Sequence, residues 1–380
     1  NAYDRALQLQ TTLIAEFPGK PDLKKDLART YYNLGILYKD TGKQQQAQKA
    51  LEDAVAILDE LARAYPEKLV YRQHLGRAYL NLAPVMERTA GFEQALVISQ
   101  KAIETFRLLI TLNPQAPDYQ QELAVCYNNL GNAYARAGDM AKAETNYTDA
   151  RALFKRLAND FPNIPVYRIE LANTHNSLAV VLARSKRPDD AFAIWKDNEN
   201  IQRQLVEEYK QVPSYRGDLG MTRASLGRVY LTRKELGKAK TYLLAATADL
   251  EYALATNPNQ PDYLNAAKFA YVNLGYALVG LNEDAAAFQH ANRLVESFPH
   301  RDQGLVVALC FLASCFESAK LQPSDTVQRA DEFAVHAERI IQAALSAGRA
   351  KALEKLGNDS NFAALRDHAS ISPLLLPKMP

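Results

Sequence analysis

Tyr119-Gln120-Gln121-Glu122-Leu123, followed by Leu130-Gly131 and then Ala143, decides the fold, because the same pattern returns at a fixed distance along the chain. Its opening is matched by Tyr71-Arg72-Gln73-His74-Leu75, Tyr167-Arg168-Ile169-Glu170-Leu171 and Tyr215-Arg216-Gly217-Asp218-Leu219, with starts 48 residues apart. Leu23 and Tyr263 extend the frame by one repeat in either direction. Leu34-Gly35, Leu82-Ala83, Leu130-Gly131, Leu178-Ala179, Leu226-Gly227 and Leu274-Gly275 keep the same register, as do Ala47, Ala95, Ala143, Ala191, Ala239 and Ala287. Six copies in one frame describe an array in which each repeat buries its apolar face by stacking on its neighbours.

Within a repeat the apolar residues recur at helical spacing, as in Leu27, Tyr31, Leu34 and Tyr38 and then Ala47, Leu51, Ala54 and Leu58. Each repeat is therefore two antiparallel helices. The small residue after Leu34 or Leu130 falls where the first helix crosses the second, and the alanine at the Ala47 position faces it, letting the axes approach to about 8–10 Å. Pro18, Pro66, Pro114, Pro162 and Pro258 stop one repeat, and Pro21-Asp22, Pro117-Asp118, Pro213-Ser214 and Pro261-Asp262 start the next. The turn inside a repeat uses Thr41-Gly42 and Ala137-Gly138-Asp139. Pro84 lies inside a first helix, takes away a backbone bond to residue 80 and predicts a kink.

This combination of Tyr/Asn-Leu-Gly-x-x-Tyr, a turn glycine and Ala-x-x-x-Leu-x-x-Ala resembles the tetratricopeptide repeat, whose usual period is about 34 residues. The resemblance implies an all-α fold, a right-handed superhelical solenoid of antiparallel helix pairs. The longer period here adds about four helical turns per repeat, so each helix gains roughly two turns and reaches about 27–30 Å. The expected organisation is the second helix of a truncated repeat at 1–17 and six repeats over 18–305, the last one shortened. An atypical terminal helix pair at 306–349 and a capping helix with an apolar tail at 350–380 complete it.

Phe161-Pro162-x-x-Pro165-x-Tyr167-Arg168-x-Glu170-Leu171-Ala172, together with Asp359-x-x-Phe362-x-x-Leu365-Arg366-Asp367-His368, is similar to the repeat arrays that follow the kinase domain in large bacterial serine/threonine protein kinases. That resemblance implies a regulatory or scaffolding role, with any catalysis lying outside this chain. A Gly-rich nucleotide loop, a His-Arg-Asp catalytic loop and Asp-Phe-Gly are all missing from the sequence. Gly35 to Gly42-Lys43 imitates a phosphate loop, but with the wrong spacing and on a helix and turn of the repeat.

Composition narrows the function further. Hydrophobic residues make up 48% and charged residues 23%, and 45 basic residues are interspersed with 43 acidic ones for a formal charge of +2, so no basic stripe invites nucleic acid. The histidines show no paired ligand spacing, and neither a metal nor a cofactor is expected. Cys126, Cys310 and Cys315 are odd in number and read as small core residues rather than disulfide partners. The apolar runs read as too short to span a bilayer. The chain opens on Asn1 and already on helical periodicity, which reads as the interior of a longer or processed polypeptide; the compartment stays open, with the cytoplasm favoured.

The expected function is thus a non-catalytic protein-interaction scaffold. In tetratricopeptide arrays the first helices line a concave groove, at positions equivalent here to 29, 32, 36, 39 and 40. Those positions hold Arg29, Tyr32, Lys39, Arg77, Arg88, Asn128, Asn132, Arg136, Asn173, Asn176 and Arg184 in the first four repeats, then Met221, Arg228, Phe269, Val272 and Tyr276. A cationic, amide-rich surface that turns apolar suits an extended, acidic peptide or a chain terminus. The repeated Asn33, Asn81, Asn129 and Asn273 read instead as hydrogen bonds between neighbouring helices. A second reading is self-assembly, in which an apolar stripe of Tyr3, Ala6, Leu9, Leu13 and Phe17 meets the tail Leu374-Leu375-Leu376 head to tail.

Overall fold

The computed structural model describes residues 2–298, 301–321, 326–354, 356 and 358–375. Its regular elements are helices placed end to end in pairs: α1 (Ala2–Glu16); α2 (Pro21–Asp40) with α3 (Gln44–Ala64); α4 (Leu69–Thr89) with α5 (Phe92–Leu112); α6 (Pro117–Ala137) with α7 (Met140–Asp160); and α8 (Pro165–Arg184) with α9 (Pro188–Glu208). Then come α10 (Pro213–Thr232) with α11 (Leu236–Thr256), α12 (Pro261–Gly280) with α13 (Asp284–Ser297), α14 (Arg301–Lys320) with α15 (Thr326–Ser346), and the short α16 (Ala350–Glu354), α17 (Ala363–Arg366) and α18 (Ser372–Leu375). A 3₁₀ turn, Ser360–Phe362, precedes α17. Helices of 20 and 21 residues such as α2 and α3 measure roughly 30 Å, the lengthening that the repeat period demands.

The chain forms two compact bodies, Asn1–Ala191 and Phe192–Pro380. In the first, α2, α4, α6 and α8 pack in succession, and α2, α4 and α6 each also pack on the second helix of their own repeat. The crossing is tight for a steric reason. A Cβ added to Gly35 would lie 2.6 Å from Leu51, and one added to Gly131 would lie 2.9 Å from Tyr147. Ala47, Ala143 and Ala191 are fully buried opposite. Trp195, which stands in the repeat where Leu51 and Leu243 stand, is buried as a core residue.

Helix ends follow the sequence signals. Pro21, Pro117, Pro165, Pro213 and Pro261 each occupy the first helical turn, where a missing N–H costs nothing. Gly42 and Gly138 adopt left-handed φ values of 77° and 87° in the turn. The same repeat position is filled by Lys186, Lys234 and Asn282, with φ of 60°, 60° and 59°.

The second body holds a continuous core running from Ala224 to Ile371. One expectation is corrected here. Asp302–Lys320 is long and apolar enough to cross a membrane by length and composition, but 78% of it is buried within the protein, where Leu305, Leu309, Phe311 and Leu312 form the centre of this core. Cys310 and Cys315 are free, buried thiols on the same helix, and burial raises both, Cys310 to about 12. Cys126 in the first body is likewise buried and free.

The terminal segment packs against the core of the second body. Phe362, Leu365 and Ile371 are fully buried, and Leu374 and Leu375 pack partly buried against the same core. Lys268 anchors the segment through Asp359 at 2.9 Å. Leu376 lies outside the described residues. At the other end Leu9, Leu13 and Phe17 of the expected apolar stripe are exposed, whereas Tyr3 and Ala6 are half-buried.

Candidate binding surface

In the first body the candidate residues sit on α2, α4, α6 and α8, and seven of them line two cavities, whereas Asn128, Asn173, Asn176 and Arg184 line neither. Arg29, Tyr32 and Arg77 line a cavity of about 190 Å³ beside His74. Lys39, Arg88, Asn132 and Arg136 line another of about 600 Å³, together with Asp40, Glu87, Asn81 and Asn129.

Most of these donors are already engaged by a neighbouring repeat. Arg77 pairs with Glu122, whose side chain is only 13% exposed. Burial raises the Glu122 carboxyl, and the Arg77 guanidinium opposes the rise without cancelling it. Arg136 grips Glu87 with both arms, Nε to Oε1 at 2.9 Å and Nη2 to Oε2 at 2.5 Å. Lys39 Nζ donates to Asn81 Oδ1 at 3.1 Å, while Asn81 Nδ2 donates to the Tyr32 hydroxyl at 2.9 Å. Asn128 Nδ2 donates to Thr174 Oγ1 at 2.7 Å, and the Tyr147 hydroxyl donates to Asn132 Oδ1 at 2.7 Å. Arg29 reaches Asp26 on its own helix at 3.2 Å, and Asn176 has a partner as well.

The second body repeats the theme. Arg228 Nη1 donates to Asn273 Oδ1 at 2.9 Å, and the Tyr276 hydroxyl bonds Glu317. Met221 and Val272 pack partly buried against the core, and Phe269 is 43% exposed. Asn81 and Asn273 thus tie neighbouring helices as their repetition suggested, but Asn33 and Asn129 line the two cavities instead.

The residues left for an outside partner are fewer than the sequence implied. Arg88 and Arg184 are exposed and have no hydrogen bond or ion pair among the described residues. Asn173 is exposed, with Glu170 of its own helix as a hydrogen-bond partner. Reading cations off five repeat positions overlooked the carboxylates that neutralise them, since Glu122 lies at a position outside the set and Glu87 replaces the lysine seen at residue 39. Each cross-repeat pair is partly exposed and contributes about 0.2–1 kcal/mol, so the pairs fix register more than they supply stability.

His175, buried to 3% exposure, accepts from Arg151 Nε at 2.9 Å and is held neutral by burial and that guanidinium, its pKa falling to about 4. It is a core hydrogen-bonding group. Among the described residues no cluster of three or more His, Cys, Asp or Glu is placed to hold a metal ion.

Two family models, each described as tetratricopeptide repeat, match residues 28–57 and 123–163. With the helix pairs and the small-residue crossing described above, they define the chain as a tetratricopeptide repeat array. Among solved structures, BtubC (BKLC) from P. vanneervenii is 21% identical with a TM-score of 0.48, covering 68% of this chain and 91% of its own. PilF of Pseudomonas aeruginosa is 16% identical with a TM-score of 0.45, covering 75% and 96%. A putative kinesin light chain from Podospora anserina with nearly identical TPR-like repeats is 18% identical with a TM-score of 0.41, covering 62% and 99%. No curated protein matches the sequence at a significant level.

Proposed function

We propose that this array is a non-catalytic scaffold that binds an extended, acidic segment of a partner protein along the first helices of its first body. Tetratricopeptide repeats serve protein–protein interaction, and the finer reading is carried by one observation. On a face where Arg29, Arg77 and Arg136 are tied to carboxylates, Arg88 and Arg184 stand at equivalent repeat positions with no ion pair among the described residues. Guanidinium forks suit carboxylates, and the exposed Asn173 amide, about three turns before Arg184 on α8, suits peptide groups. Asn132 and Asn176, expected to contact the partner, have bonds within the array and act as supports. Similarity to kinase-linked arrays makes the same module a recruiting arm wherever a catalytic domain adjoins it.

The test is a peptide selected from a displayed random library on the 380-residue chain, measured against Arg88→Ala/Asn173→Ala/Arg184→Ala. A loss of affinity of tenfold or more with unchanged helicity is expected, equivalent to about 1.4 kcal/mol. Affinity that survives the triple change contradicts the reading.

A further inference from the structure

The repeat column that contains Leu51 holds a small residue twice, half-buried Ser99 in the second repeat and Ala291, fully buried in the core, in the sixth. Leu51, Tyr147 and Leu243 are buried, each beneath a glycine of its own first helix, and Trp195 in the same column is buried too. The second repeat places Ser99 there, opposite Ala83. Ser99 Oγ is turned back on its own helix, donating to the Ala95 carbonyl at 2.9 Å. Where the repeats on either side have Leu51 and Tyr147, this one has the cavity of about 600 Å³, lined by Ala83, Pro84, Ala95 and Ala133. That volume falls in the range of about 300–1,000 Å³ typical of ligand sites.

Its polar groups are unusually free. Helix α4 runs on through Pro84, which has no N–H, so the Leu80 carbonyl at the cavity receives no helical hydrogen bond. Gln44 Oε1 is buried without a donor. Asn129 forms no hydrogen bond among the described residues, and Arg88 at the rim has no carboxylate. Lys39, Arg88 and Arg136 line the site against Asp40 and Glu87, which leaves it positive.

The third repeat displays what such a gap accepts. The Tyr147 ring packs under Gly131, and its hydroxyl bonds Asn132 and reaches Ser177 of the next first helix. Asn129 occupies, for the second repeat, the position that Ser177 occupies for the third.

We propose that the gap between α4 and α5 is an anchor pocket for a tyrosine side chain of an acidic partner segment, which supplies from outside what Tyr147 supplies from within. The ring lies on the Ala83–Pro84–Ala95 floor, the hydroxyl meets Asn129, and a flanking carboxylate pairs with Arg88. The pocket rests on the reading of the first-helix face as a binding surface and names its specificity-determining site.

The experiment uses acetylated, amidated Gly-Asp-Tyr-Asp-Gly and its alanine counterpart as probes, followed by saturation-transfer NMR on the peptide protons. Wild-type protein is expected to saturate the tyrosine ring and to leave the alanine peptide unaffected. Ala83→Gly/Ser99→Tyr and Ala83→Gly/Ser99→Leu, which fill the gap with the pairings the array already uses at Gly131 with Tyr147 and Gly35 with Leu51, abolish the signal while keeping wild-type helicity. Arg88→Gln weakens binding at least threefold at low salt. Absence of ring saturation in wild type, or saturation that persists in both filled variants, overturns the pocket. A library-selected peptide that binds the filled variants yet fails with the Arg88/Asn173/Arg184 triple change discards the pocket and leaves the broader surface standing.

Discussion

Asp218 holds a carboxyl that burial raises to about 6, even though the Tyr263 hydroxyl donates to it at 3.1 Å. A raised folded pKa means the favourable neutral form is fully populated below the unfolded value near 4, and its contribution is lost as pH rises through about 6. Asp218→Asn keeps an acceptor for Tyr263 and removes the ionisation. The variant should melt like wild type at pH 4 and become the more stable of the two above pH 6, by on the order of 1 kcal/mol. Thermal melts at fixed intervals across that range check it, and a flat difference contradicts it. At this scale the sequence was legible in part. The small residues at helix crossings and the buried Trp195 follow from register alone. The pairing of Arg77 with Glu122 does not, because it joins different repeat positions on adjacent helices. Ser99 could have been found, since it is a small residue between Leu51 and Tyr147 in a column that stays large through Trp195 and Leu243 and turns small again at Ala291.

The helices themselves were the most legible level, because proline and periodicity mark both ends of each repeat. Less legible was the intra-repeat turn once glycine gives way to Lys186, Lys234 and Asn282, which hold the same left-handed conformation without glycine's freedom. A non-glycine residue there costs about 1 kcal/mol or more. Lys186→Gly therefore relieves strain and should raise stability by up to about 1 kcal/mol, while Gly138→Ala at the equivalent turn lowers it by a similar amount. Denaturant midpoints of the two variants measure this, and equal midpoints would show that the turn imposes no strain. The terminal segment escaped the sequence reading for a different reason. Its helices are too short to carry a period, so only the burial of Phe362, Leu365 and Ile371 reveals that they close the core of the second body.

Repetition of one frame along the chain made the architecture readable as a whole, but the balance between binding and self-assembly is set by a few surface groups. With Leu374 and Leu375 packed against the core, the described part of the tail offers little to a second copy. Light scattering of the 380-residue chain should give a constant monomer mass over a wide concentration range. A mass that climbs with concentration and returns to monomer in Leu9→Gln/Leu13→Gln/Phe17→Gln would identify the exposed face of α1 as an assembly surface.

The central claim is that a partner segment lies along the first helices of the first body. A photo-cross-linking residue placed in turn at Arg88 and Arg184 on first helices, and at Glu104 and Arg156 on second helices, reads this directly with a library-selected peptide. Cross-links from positions 88 and 184, and none from 104 and 156, are the predicted result. Cross-links confined to positions 104 and 156 would contradict the account.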